Sequence, residues 1–292
     1  MTDPGLPRYS FAGDEAIFVE MSRDFDLVTN FKIQAICKSI TEEAVPGFIE
    51  AYPGNTAYMV LLDPEAVSPD HLLGKMWKIE SRMSELVPFE SRLIEIPVLY
   101  NDPWTIACAK EFPSNHQDPS VTNIEYVAQL NGMSVPELIK AHSHSQYLVT
   151  MKRFLPGSLC LYQMVDRSQA LSCPKYLVPR SWGPVRALVM GGIFSTIAPY
   201  RGPGGYQFLG RSPVPVYDAE RKLLDLKDST LASSGDRFKL SPIDMDEYKD
   251  TRAKVKAGSY RYKIVKQSFD PKKYLADQES YLEKLEDELR HV

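Results

Sequence analysis

Cysteine is scarce in this chain, with four among 292 residues. Cys37, Cys108, Cys160 and Cys173 lie far apart and form no C-x-x-C pair. That excludes a zinc knuckle and a dithiol redox motif, and leaves reduced, buried thiols as the expectation. Excess charge of either sign is also missing: the formal net charge is -4. No lysine and arginine cluster is interleaved with aromatics, so neither nucleic acid nor an acidic membrane surface is an expected partner. Long apolar runs are absent too. The longest weakly polar stretch, 187–200, contains Gly191, Gly192 and Pro199 and is shorter than the roughly 20 helical residues that cross a bilayer. The opening MTDPGLPRYS has no apolar segment of a secretory signal, and the expected location is cytoplasmic. No G-x-x-x-x-G-K loop occurs, so any ATP chemistry is expected in another chain.

What is present reads as an α+β protein in three parts. In residues 1–100, a short apolar strand at 15–21 precedes Ile33, Ile36, Cys37 and Ile40 at helical spacing. Segments 48–52 and 57–62 flank a PGN turn as a hairpin. Ser68 and Pro69 then open a helix striped by Leu72, Met76, Ile79 and Met83, and a strand follows at 93–100. The order β-α-β-β-α-β predicts a ferredoxin-like subdomain. Residues 101–119, rich in Pro, Asn and Asp, read as a boundary or excursion. Two short helices, 123–130 and 134–141, lead into apolar runs at 147–155, 159–165, 187–190, 207–210 and 214–217, whose spacing predicts a closed β-barrel over 101–254. Residues 255–292 read as an edge strand at 260–265 and an amphipathic helix carrying Leu275, Tyr281, Leu282, Leu285 and Leu289, expected to dock on its own domain.

Chemistry concentrates in a few places. The run GPGGYQFLGRS at 202–212 couples a glycine hinge to an apolar strand. Glycines at 202, 204 and 205 are expected to take positive φ and to let a group approach bare backbone. Arg211, at the strand exit, either anchors a carboxylate or pairs with a nearby Asp or Glu. In RFLPG, 153–157, a proline-glycine turn after a strand aims backbone N–H groups outward, a geometry suited to oxyanions. His142 and His144 form an H-x-H pair without an acidic or thiol third ligand nearby, so no metal site is expected. Met151 and Lys152 resemble a biotin attachment pair, but an internal strand lysine whose ammonium reaches solvent is the expected state.

Five stretches in order, IPVLYNDPWT (96–105), NIEYVAQLNG (123–132), CPKYLVPRSWGP (173–184), GPGGYQFLGRS and SYRYKIVKQSF (259–269), resemble the carboxyltransferase part of urea carboxylase. The same family includes the B subunit of ATP-dependent 5-oxoprolinase, also called allophanate hydrolase subunit 1, and related kinase inhibitors. The resemblance implies that the barrel is cyclophilin-like. It implies a substrate site built from His142, Phe154, Pro156, Gly157, Phe194, Ser195, Gly204, Gly205, Tyr206 and Arg211, with the catalytic residues left open. His142 stands where 5-oxoprolinase-type relatives often place a histidine, though a helix C-cap histidine reads equally well. Phe154 replaces an acidic residue of urea carboxylases, and Phe194 and Ser195 fall where 5-oxoprolinases read G-G-Q-T-G, which makes the expected pocket more apolar.

The resemblance further implies biotin on a partner carrier protein, with ATP and bicarbonate used by a partner biotin carboxylase. A complementary carboxyltransferase subunit like allophanate hydrolase subunit 2 is the expected companion. On this basis the chain is one subunit of the carboxyltransferase component of a biotin-dependent carboxylase, acting on an amide-like or less polar acceptor. The alternatives are the B subunit of an ATP-dependent lactam hydrolase of the 5-oxoprolinase kind and a non-catalytic regulator like the kinase inhibitors.

Overall fold

A computed structural model describes residues 6–43, 45–83, 85–220 and 229–292. The elements in chain order are β1 (Arg8–Ala12), β2 (Ala16–Glu20), α1 (Leu27–Glu42), β3 (Phe48–Pro53), β4 (Ala57–Leu62), α2 (Pro69–Arg82) and β5 (Phe89–Tyr100), then α3 (Pro103–Ala109), α4 (Asn123–Leu130) and α5 (Val135–His144). There follow β6 (Gln146–Lys152), β7 (Leu159–Gln163), β8 (Arg180–Gly183), β9 (Ala187–Gly191), β10 (Phe194–Ile197), β11 (Gly202–Gly204), β12 (Gln207–Arg211) and β13 (Arg237–Pro242). The chain closes with α6 (Met245–Lys256), β14 (Ile264–Phe269), α7 (Pro271–Ala276) and α8 (Gln278–Leu289). They form two compact units, residues 1–91 with 268–277, and residues 92–267 with 278–292.

In the first unit an antiparallel sheet of order β1-β2-β4-β3 is packed by α1 and α2. Asp26 caps α1 by accepting from the Thr29 N–H at 2.8 Å, and the expected stripe of Ile33, Ile36, Cys37 and Ile40 is buried. Those side chains meet Ile17, Val19, Val60, Leu62, Met76 and Ile79 in one apolar core. Phe31, Phe89, Phe269 and Tyr274 form an aromatic cluster in the same unit.

The closing strand differs from the sequence expectation. The segment at 93–100 belongs to β5 and joins the barrel, while the fourth place in the small sheet is taken by β1. β1 left no periodic signal because nearly all its residues are solvent-exposed.

The second unit is a seven-stranded barrel closed in the order β5-β13-β6-β7-β10-β9-β12 and back to β5, with β14 added along β5. β13 runs parallel to β5, and β12 closes against it through the pairs Gly210 with Tyr100 and Arg211 with Leu99. Alternate residues of these strands fill the interior: Ile94, Ile96, Val98, Val149, Leu161, Leu188, Met190, Leu209, Phe238 and Leu240. Ile124, Val127 and Leu138 of α4 and α5 join the same core.

The expected strand at 214–217 is reduced to an isolated bridge between Tyr217 and Thr230. Its place in the barrel goes to β13. Within the stretch expected to be irregular, Asp102 caps α3 by accepting from the Trp104 and Thr105 N–H groups, both at 3.0 Å.

The expected C-terminal helix is two helices, so Leu275 lies on α7, exposed and off the stripe. Leu282, Leu285 and Leu289 of α8 are buried. There a fully buried Arg237 donates to Gln146 and Gln267 at 2.6 Å each. Those amides in turn donate to the carbonyls of Leu282 and Leu285. Matching donors to acceptors along this chain of contacts offsets the cost of burying a guanidinium.

Candidate functional site

The glycine segment is extended rather than left-handed. β11 pairs with β8, Gly202 opposite Gly183 and Gly204 opposite Arg180. Gly202, Gly204 and Gly205 are not among the positive-φ residues, which corrects the hinge expectation: strand pairing holds the segment extended. The bare backbone nevertheless has a consequence. A Cβ on Gly202 would meet nothing within 4 Å, one on Gly204 would meet only the Arg180 Nη2 at 3.9 Å, and one on Gly205 only atoms at 3.8 Å or beyond. Space is open over Gly202, whereas a Cβ on Gly204 would touch Arg180 and one on Gly205 would touch Pro179 and Lys175 at ordinary van der Waals distance, so small side chains fit there without displacing a neighbour. Gly157 is the opposite case. Its φ is +76°, and a Cβ there would sit 2.3 Å from the Tyr217 Cβ, so the RFLPG turn requires glycine on both counts.

Behind Gly205 and Tyr206 stands a buried polar assembly. Arg180, at 2 % exposure, lies between the rings of Tyr176 and Phe208, at 4.1 and 3.9 Å, and donates from Nη2 to the Tyr206 carbonyl at 2.8 Å. Its Nε and Nη1 are buried without a hydrogen-bond partner, and burial lowers its pKa. The Tyr176 N–H donates to the Gly205 carbonyl at 2.6 Å. Asn123 Oδ1 accepts from the Tyr176 hydroxyl at 2.8 Å and from the Phe208 N–H at 3.0 Å. Gln207 joins the assembly by bonding His116 Nε2 at 2.8 Å and donating to the Pro174 carbonyl at 3.0 Å.

Asn123, Tyr176, Arg180 and Gln207 come from three of the five family-like stretches, and sequence reasoning singled out none of them. Their shared membership in ordered stretches was the available signal. Which side chains of those stretches meet depends on the pairing of β8, β11 and β12. Tyr176, Phe208 and Asn123 also line a cavity of about 350 Å³, together with Thr105, Lys110 and His116.

In front of the assembly is an exposed rim. Arg153 and Lys175 sit over the Tyr206 ring at 5.2 and 5.3 Å from its centroid. Phe154 is 84 % exposed, and Leu155, Pro156, Leu177 and Val178 are exposed with it. The Tyr200 hydroxyl donates to the Pro156 carbonyl and ties down the turn. Of the expected site residues, Gly204, Gly205 and Tyr206 lie in one run, Arg153 over the Tyr206 ring brings the RFLPG turn near it, and in that turn Phe154 and Pro156 are exposed while Gly157 is buried.

The remaining expected residues lie elsewhere. His142 and Ser195 are inside the barrel: His142 Nε2 is 3.1 Å from Ser195 Oγ, and Nδ1 is 3.0 Å from the Tyr100 hydroxyl. The Tyr147 hydroxyl donates to the His142 carbonyl at 2.7 Å. Burial alone lowers the His142 pKa to about 3, so the ring is neutral and its hydrogen bonds join buried groups. Phe194 is half-buried and packs at 6.0 Å on Tyr162.

Arg211, at the far end of β12, donates from Nε to the Val185 carbonyl at 3.0 Å and lies 5.2 Å from the Trp104 ring. It is about four strand steps from Gln207, roughly 13 Å at the usual rise, so it is separated from the glycine segment. His144 approaches Glu279 at 3.7 Å. Among the described residues no group of three His, Cys, Asp or Glu could hold a metal, and no helix is long and apolar enough to cross a membrane. All four cysteines are free and buried.

A closed barrel and a small α+β unit, with family-like stretches converging on one backbone segment, define the class. The family model "Carboxyltransferase domain, subdomain C and D" matches residues 7–226, and the chain belongs to that family. Among relatives, the 5-oxoprolinase B subunit of Bacillus subtilis is 27 % identical over 81 % of this chain and 92 % of its own length. Urea amidolyase of Saccharomyces cerevisiae is 23 % identical over 91 % of this chain but only 15 % of its own length. Among solved structures, the K. lactis urea amidolyase superposes with a TM-score of 0.80 at 21 % identity, covering 97 % of this chain and 17 % of that one. The chain is thus a carboxyltransferase-like protein related to urea carboxylase and to the 5-oxoprolinase B subunit.

Proposed function

We propose that this chain is one subunit of the carboxyltransferase component of a cytoplasmic, biotin-dependent carboxylase of the urea carboxylase type. The observation that carries the reading is the half-exposed, side-chain-free backbone at Gly202, Gly204 and Gly205, with exposed apolar side chains on the neighbouring turns. Biotin, when bound, supplies a carboxyl group in a labile N-linked form. The residues present fit that group: Phe154, Leu155, Leu177 and Val178 offer apolar surface for its ring system, and the Gly204 and Gly205 backbone has no side chain to block approach. This chain's own part is to wall the site and to orient backbone dipoles toward developing carboxylate charge. The exposed rim is also the surface for a complementary carboxyltransferase subunit of the allophanate hydrolase subunit 2 kind. A biotin carrier and a biotin carboxylase that uses ATP and bicarbonate complete the proposed assembly.

Coverage of 97 % of the chain by the urea amidolyase fold favours this reading. A second reading, the B subunit of an ATP-dependent 5-oxoprolinase, is favoured by the match over 92 % of that relative's length. Affinity capture of the tagged full chain from its own cells separates them. Recovery of a biotinylated protein together with bicarbonate-dependent carboxylation supports the first. Recovery of a sister subunit with lactam-dependent ATPase, and no biotinylated protein, refutes the first and supports the second.

A further inference from the structure

Four cations lie beside the glycine segment: Arg153 and Lys175 over the Tyr206 ring, Arg180 bonded to the Tyr206 carbonyl, and Arg201 over the Trp182 ring at 4.1 Å. Two other cations of the second unit pair with acids, Arg92 with Asp236 and Lys239 with Glu286. Among the described residues no carboxylate makes an ion pair with any of these four. Arg180 sharpens the point. Its guanidinium is buried with two donor nitrogens unmatched and is balanced only by two aromatic faces and one carbonyl. A positive charge held in a poorly solvated place projects a field that water screens weakly.

We propose that the rim at Tyr206 is a binding site for the carboxylate of a small molecule, held by Arg153 and Lys175 over the field of Arg180. Both rim cations contact the same ring, at 5.2 and 5.3 Å from its centroid, which places two positive charges beside Tyr206. Gly202, Gly204 and Gly205 are half-exposed, and their bare backbone lies next to these cations, with open space over Gly202. The anchor expected at Arg211 is thereby assigned to other cations, because the Arg211 guanidinium is engaged with the Val185 carbonyl at the far end of β12. The inference rests on the proposed carboxyl-transfer reading only in taking that small molecule to be the acceptor, which then bears a negative charge besides its nucleophile.

The test is titration of the full-length protein with sodium acetate, and with neutral acetamide at equal ionic strength, followed by the backbone amide resonances of Gly204, Gly205 and Tyr206. Saturable shifts with acetate and none with acetamide are expected. The double variant R153Q/K175Q is expected to weaken acetate binding about ten-fold or more. Both side chains lie on the rim, so its thermal unfolding should match the parent. Equal response to acetamide, or unchanged acetate binding in the double variant, overturns the anion site. Loss of acetate binding in a protein that still captures a biotinylated partner leaves carboxyl transfer standing. Acetate binding without that capture leaves the anion site standing and removes the transfer reading.

Discussion

Acidification should destabilise the barrel through one side chain, His142. The folded protein holds its imidazole neutral, with a pKa lowered to about 3 by burial. The unfolded chain protonates a histidine near pH 6.5. Below that value the unfolded state therefore binds a proton that the folded state refuses, and folding weakens as pH falls until the folded pKa is reached. Between about pH 7 and pH 5 this single group lowers stability by about 2 kcal/mol on the linkage relation. Urea unfolding at each pH, for the parent and for His142→Gln, isolates the contribution. The glutamine can still bond Ser195 and Tyr100 but cannot titrate, so its stability should fall less over the interval, by about the same 2 kcal/mol. Its absolute stability will be lower at neutral pH because an amide does not fill the imidazole's place between Tyr100 and Tyr147. An identical pH slope in the two proteins, or an imidazole that titrates near pH 6 in the folded state, refutes the assignment.

Two further perturbations separate structure from site. Gly210→Val should cost several kcal/mol, about 3 or more, because a Cβ there would lie 2.5 Å from the Leu99 carbonyl oxygen where β12 closes the barrel. Gly204→Val should unfold at the parent temperature, yet lose carboxyl transfer, since its Cβ meets nothing closer than 3.9 Å. Calorimetry with an activity assay checks both, and a Gly204→Val protein that is folded and fully active removes the segment from the site. Asn123→Ala should destabilise by about 2 to 4 kcal/mol, by orphaning the buried Tyr176 hydroxyl and Phe208 N–H, whereas Asn123→Asp keeps an acceptor and should cost less in chemical denaturation.

Residue periodicity and caps revealed α1, α2 and most barrel strands, because alternation and the 3.6-residue stripe record which side of an element meets a core. The ordered stretches also carried the family. Periodicity is silent about which sheet a strand joins: Ile94, Ile96 and Val98 alternate equally well for the small sheet or the barrel, and only long-range pairing with Arg237–Pro242 assigned them. Local spacing likewise could not separate His142 and Ser195, which face the barrel interior, from Phe154, which faces solvent. Nor could it place Arg180 against Phe208, since that contact joins β8 to β12, strands distant in sequence. A short-range pattern encodes the environment of each side chain, inside or outside. The identity of its neighbours is a property of chain closure, and here closure brought separate family-like stretches to one half-exposed backbone segment with cations beside it.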